Sequence, residues 1–169
     1  MFFVTKNGVR KEVTKGIRPM LRVCEMTGGI PDGFWEDLTI LGFLSGTIHG
    51  LVRVISSGKY KGADSGEIAI GVFDDLRGAG DGVVIGGKIA LLTQFPVSTF
   101  ADAFKAGFVS VMIAHHGVGN MLDEPIVKKA KAYLQAAPME TDGTEKSALS
   151  AAIIHLAFHY RVMDMQQGA

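Results

Sequence analysis

The sequence predicts an all-α fold, a compact bundle of about seven helices in a single domain spanning residues 1–169, with a short β-hairpin at its N-terminus. Three observations predict it. Apolar residues recur at steps of three and four along most of the chain, the period of a helix with one buried face. Proline, glycine and capping residues punctuate those stripes at helical lengths. The 169 residues, 47% of them hydrophobic, are enough for one core, and no linker, low-complexity tract or long charge run divides them.

The hairpin rests on Phe2-Phe3-Val4-Thr5 and Val9 to Val13 flanking Lys6-Asn7-Gly8, because Asn-Gly favours a type I′ turn. Its rival is an amphipathic helix with Val9, Val13 and Ile17 on one face, which Pro19 weakens by removing an N–H. A helix opening at Pro19 and closing at Gly28-Gly29 is therefore expected. The second helix is expected from Pro31-Asp32 to Ser57-Gly58, with Phe34, Leu38, Leu41, Ile48, Val52 and Ile55 as its stripe. Asp64 and Glu67 have capping-box spacing at the start of a third helix that Gly78 ends, although Ile68, Ile70 and Val72 also alternate as in a strand. The fourth runs from Asp81 to Phe95 before Pro96. The fifth is capped by Ser98 or Thr99, buries Phe100, Phe104, Phe108 and Val111, and ends near His116-Gly117. The sixth has Asp123 as cap and Pro125 in its first turn. A polar turn over Pro138 to Gly143 precedes the seventh, capped by Thr144, whose Leu149, Ile153, Leu156, Tyr160 and Met163 form a seam that wants a partner helix.

Two segments match at an offset of 65 residues. Pro31, Trp35, Asp37 and Gly42-Phe43-Leu44-Ser45 correspond to Pro96, Phe100, Asp102 and Gly107-Phe108-Val109-Ser110. The match suggests a pseudo-two-fold duplication, with units 17–80 and 82–143 and a closing helix over 144–166.

Glycine is abundant, with 22 residues, and inside helices it is costly. Gly42, Gly46 and Gly50 in the second helix, and Ala106, Ser110 and Ala114 in the fifth, recur once per turn. Such spacing makes a groove into which another helix backbone can fit. The groove serves either packing between helices two and five or self-association.

The five histidines supply the only candidate metal chemistry. His155 and His159 are one turn apart on the last helix, and His115 and His116 end the fifth. If those helices meet, the imidazoles converge on a site suited to a divalent transition metal. No HExxH motif accompanies them, and a helix C-terminus alone accounts for His115 and His116. No catalytic residue is nominated. Ser45 and Ser110 lack a nucleophile elbow. Gly78-Ala79-Gly80-Asp81-Gly82 and Gly86-Gly87-Lys88 lack the hydroxyl ending of a phosphate loop. Cys24, the lone cysteine, reads as a packed thiol, in keeping with a reducing compartment.

Seventeen basic and seventeen acidic side chains balance to zero net charge, which argues against a specific nucleic-acid partner and removes a barrier to self-association. The local basic cluster of Lys6, Arg10, Lys11, Lys15, Arg18 and Arg22 reads as a solvated edge. Mean hydropathy is high at +0.25. The most apolar stretch, Leu38 to Ile55, holds His49 and Arg53 and is short of a usual span, so membrane association is the weakest expectation. The N-terminus lacks a secretory pattern, and a cytoplasmic location is expected. Together these point to a non-enzymatic helical interaction or assembly protein. It would act as a homo-oligomer or with another protein and bind no cofactor. A histidine-based metal- or ligand-binding protein and a membrane-associated component are the alternatives.

Overall fold

The computed structural model of the chain describes residues 4–137 and 143–168, and every regular element among them is helical. Helix α1 spans Lys6–Thr27, α2 Leu38–Ile55, α3 Ala63–Arg77, α4 Asp81–Gln94 and α5 Ser98–His116. A short 3₁₀ turn, Gly119–Met121, leads to α6, Pro125–Ala136. A C-terminal rod follows, made of α7 (Glu145–Ile154), a π-helical turn (His155–His159) and α8 (Tyr160–Gln167).

The expected hairpin is a helix. Phe2 and Phe3 lie outside the described residues, but from Lys6 onward α1 is continuous through Pro19. Thr5 caps it, accepting the Gly8 N–H at 3.1 Å, so Asn7-Gly8 falls in the first helical turn. The local turn preference loses to a longer pattern: Val9, Val13, Ile17, Leu21 and Cys24 are all buried on one face. Beside that face, charged and polar groups fix α1 to α3. Lys6 meets Asp64 at 2.6 Å and also Glu67, while Arg10 grips both oxygens of Asp75, to which Thr14 also donates. Asp64 and Glu67 are thus spent on Lys6 and form no capping box; Gly62 takes the N-cap position of α3.

The second helix begins later than its stripe suggests. Residues 31–36 form turns, with Gly33 at φ +73° and the Glu36 and Asp37 N–H groups both returning to the Gly33 carbonyl. Asp37 then caps α2 by accepting from Thr39 and Ile40, both at 3.0 Å. Phe34 is buried in that turn, edge-on to Trp35 and to Phe158. Val97 and Glu124 occupy the N-cap positions expected of Ser98 or Thr99 and of Asp123, and Thr144 caps α7 as its spacing predicts. Most of the expected polar turn, 138–142, lies outside the described residues.

The centre of the molecule is the α2–α5 pair, the most extensive contact in the fold. On one side α1 and α3 pack on α2, and on the other α7 packs on α5 with α6 beyond it. Helix α4 is held chiefly by α3 and touches α2 only slightly. Both Gly-Phe-x-Ser sequences lie at the α2–α5 crossing, yet their flanks differ, since Asp37 caps α2 whereas Asp102 is an exposed residue inside α5.

Candidate functional site: an open apolar face, a glycine groove and two histidine pairs

Gly42, Gly46 and Gly50 all face α5. A Cβ on Gly42 would lie 2.5 Å from the Phe100 carbonyl oxygen, one on Gly46 would overlap that of Phe104, and one on Gly50 would meet the Val111 side chain at 2.9 Å. Their partner on α5 is Gly107, where a Cβ would strike the Phe43 carbonyl. Gly107 belongs to the Gly-Phe-x-Ser match but not to the four-residue series. Ala106 and Ser110 are buried one step round the helix, with the Ser110 hydroxyl bonded to the Gly107 carbonyl, and Ala114 is half-buried. The groove is therefore filled inside the chain. Any self-association has to use another surface.

The C-terminal seam is displaced by the π turn. In it the Tyr160 N–H reaches back five residues to the His155 carbonyl, so one extra residue enters the turn. Leu149 and Ile153 are buried as expected. The stripe then steps by five to Phe158 and by four to Val162, both fully buried. Tyr160 is pushed outward to 46% exposure, and Leu156 is half-buried beside a surface cleft. Tyr160 is thus corrected from a seam residue to a surface one, because 3.6-residue periodicity fails across a wider turn.

The same turn arranges His155 and His159. Their ring centroids are 6.3 Å apart, and His155 also contacts Tyr133 and Tyr160. With Cys24 they border a small cavity of about 130 Å³. Nε2 of His159 is buried there without a hydrogen-bond partner. Burial, followed by the neighbouring His155, lowers the pKa of His159 and keeps it neutral. Burial also pushes the Cys24 thiol up to about 11, so it is a packed thiol and not a ready nucleophile. His115 and His116 contact each other at 6.5 Å on the exposed end of α5. Among the described residues no three His, Cys, Asp or Glu side chains are grouped so as to hold a metal.

The surface that sequence reasoning missed is α4. Two glycines seat it: a Cβ on Gly82 would overlap the Ile70 carbonyl, and one on Gly86 would crowd the Ile70 side chain at 2.7 Å. Asp74 takes the place of a capping residue, accepting from the N–H groups of Gly80 and Gly82 at 3.0 and 2.8 Å. Lys88 folds back to donate to the Glu36 carbonyl at 2.8 Å, and Asp81 pairs with Arg77. With its charges drawn inward, the helix turns Val83, Val84, Leu91 and Phe95 to water at 65, 71, 61 and 68% exposure. Gly87 lies among them with open space above it. From Val83 to Phe95 the strip runs about 18 Å along the axis. The available signal was the pair of glycines at four-residue spacing, which marks one packed face and leaves the valines and leucines on the other.

One polar junction closes the far end of the molecule. Arg161 donates to Asp37 Oδ2 through Nε and Nη2, at 3.0 and 2.7 Å, tying the C-terminal rod to the cap of α2. Burial raises the Asp37 carboxyl, but the Arg161 hydrogen bond and the Ile40 and Thr39 N–H groups outweigh it and hold the pKa below the ordinary range.

Helix α2 is long and apolar enough to cross a membrane, and 61% of it is buried inside the fold. Helices α4 and α5 pass the same test only as a pair bent by 107°. Compared with known proteins, the chain matches no family model, no curated protein and no solved structure.

Proposed function

We propose that this chain is a non-enzymatic assembly protein that acts as a homo-oligomer, with the outward face of α4 as its contact. The observation that carries the reading is the uncharged strip of Val83, Val84, Leu91 and Phe95. Contiguous exposed apolar surface of this kind marks interaction sites, whereas scattered single residues do not. Zero net charge supports it, since copies meet without long-range repulsion. The strip also suits a second copy of itself. An uncharged face is self-complementary across a two-fold axis, and Gly87 lets two α4 backbones approach.

Sedimentation velocity over a concentration series tests this. The expected result is reversible self-association that the double substitution Val84→Glu/Leu91→Glu abolishes without loss of helical circular dichroism. Wild-type protein that stays monomeric at the highest concentration, or a double variant that associates as before, would overturn the proposal.

A further inference from the structure

Behind α4 lies a cleft that the assembly reading does not use. Because α4 rests on α3 and barely reaches the α2–α5 pair, a space of about 840 Å³ is left between its inner side, α3, and the floor formed by His49 and Phe104. That volume is within the range of small-molecule sites, about 300–1,000 Å³. The walls are largely apolar, with Ile70, Phe73 and Ile89 among them. Gly66 leaves a gap in the α3 wall, since a Cβ there would meet nothing within 4 Å.

Charge and hydrogen bonding select the occupant. Apart from His49, the one ionisable group lining the cleft is Glu67, whose side chain is 69% exposed at its edge, where Lys6 pairs with it. The apolar interior holds no charged side chain, so an ion entering it would gain little to offset its lost hydration and a neutral molecule fits. The Ser45 and Thr93 hydroxyls are committed to the carbonyls of Leu41 and Ile89. His49 is different. Its Nδ1 lies 2.8 Å from the Ser45 carbonyl, which can only accept, so Nδ1 carries the proton. In the neutral ring Nε2 is then an acceptor, and no described residue donates to it. The ring is half-buried, with Phe104 at 5.4 Å holding it in place.

We infer that this cleft binds a neutral, largely apolar small molecule carrying one hydrogen-bond donor, such as an aromatic amine or a hydroxyl, which it gives to Nε2 of His49. The Nδ1 bond to the helix backbone fixes the tautomer that can receive it, and the apolar walls take the body of the ligand.

The probe is 1-aminoanthracene, an uncharged apolar ring system with an amine donor, titrated into the full-length protein and followed by fluorescence. Saturable binding of one equivalent per chain is expected. Gly66→Leu, which fills the gap from a helix that already contains position 66, should abolish it while circular dichroism is retained. Ala90→Phe fills the same space from α4 and serves if the first variant misfolds. His49→Phe keeps the ring and removes the acceptor, and should weaken binding about three- to tenfold, the worth of one hydrogen bond. Val84→Glu/Leu91→Glu alters only the outer face and should leave the affinity unchanged, which separates this site from the assembly surface. The inference is overturned if wild-type protein shows no saturable binding, if both space-filling variants bind as well as wild type, if His49→Phe binds equally tightly, or if the outer-face variant loses binding.

Discussion

Helices α2 and α4 are built from the same materials and end in opposite situations. Both are apolar, and both carry glycines one turn apart. In α2 the glycines at 42, 46 and 50 let α5 approach to backbone contact, and the other sides are covered by α1 and α3. In α4 the glycines at 82 and 86 do the same against α3, but nothing covers the opposite side. Glycine spacing marks where two backbones meet. Whether the rest of the helix is finished depends on how many neighbours reach it. An apolar helix held mainly by one neighbour keeps its far side exposed, so the proposed contact lies on α4 while α2 holds the core together.

The sharpest way to break this contrast is to put leucine on each helix. Gly46→Leu should be the most damaging single change in the protein. Its Cβ overlaps the Phe104 carbonyl, which belongs to a helix backbone and cannot rotate away, so a cost of about 3 kcal/mol or more is expected. Gly87→Leu has open space and should be neutral or stabilising by up to about 1 kcal/mol, because leucine is the better helix former. Urea unfolding of the two variants measures the difference. Equal effects would show that α2 and α4 do not differ in the way described.

A smaller effect tests whether the sealed half of the molecule depends on its polar junction. Asp37→Ala removes the cap of α2 and leaves Arg161 with only Asp164, at 2.6 Å on its own helix. Loss of a side-chain cap costs about 1 kcal/mol, and the ion pair, which is only partly buried, adds at most about another. Arg161→Ala leaves the cap in place and removes only the contact, so it should cost at most about 1 kcal/mol. If Arg161→Ala loses no stability, the Arg161 contact contributes nothing.

These contrasts also mark what the sequence could show. Most helices were legible from a stripe of three turns or more, because burying a face at 3.6-residue period needs no knowledge of the partner. The helical bulk followed from that, and the C-terminal ends of α3, α4 and α5 from Gly78, Pro96 and Gly117. Reading failed where a local signal opposed a longer one. Asn7-Gly8 prefers a hairpin turn, and Pro19 a break, but the stripe from Val9 to Cys24 overrides both. At the C-terminus the stripe itself misled, because a π turn changes the period at His155 and no residue announces it. The α4 face and the cleft behind it depend on how far α4 stands from α5, a distance that composition does not encode. The glycine series on α2 was visible, but the sequence left open whether α5 or another copy of the chain fills it.

The last contrast is within the rod, where α7 buries ordinary apolar residues and the π turn buries an imidazole. His159 is neutral when folded, with its pKa below the ordinary 6.5. The groups near it are His155, the Cys24 thiol and the Met20 carbonyl, none of them an acid that would stabilise the charged ring. The unfolded chain therefore takes up this proton first as pH falls. Stability should be flat above about pH 7.5 and should decline from about 6.5 downward through the folded pKa of His159, with a slope of at most about 1.4 kcal/mol per pH unit for one proton. Asp37 acts with the same sign in a lower window, below its ordinary 3.8, so the two are separable. His159→Phe should flatten the curve from about pH 6.5 down to the Asp37 window and leave the acid limb unchanged. A variant with the same slope in that range would mean that the imidazole is not buried in the folded protein, and the account of the π turn as part of the core would fail with it.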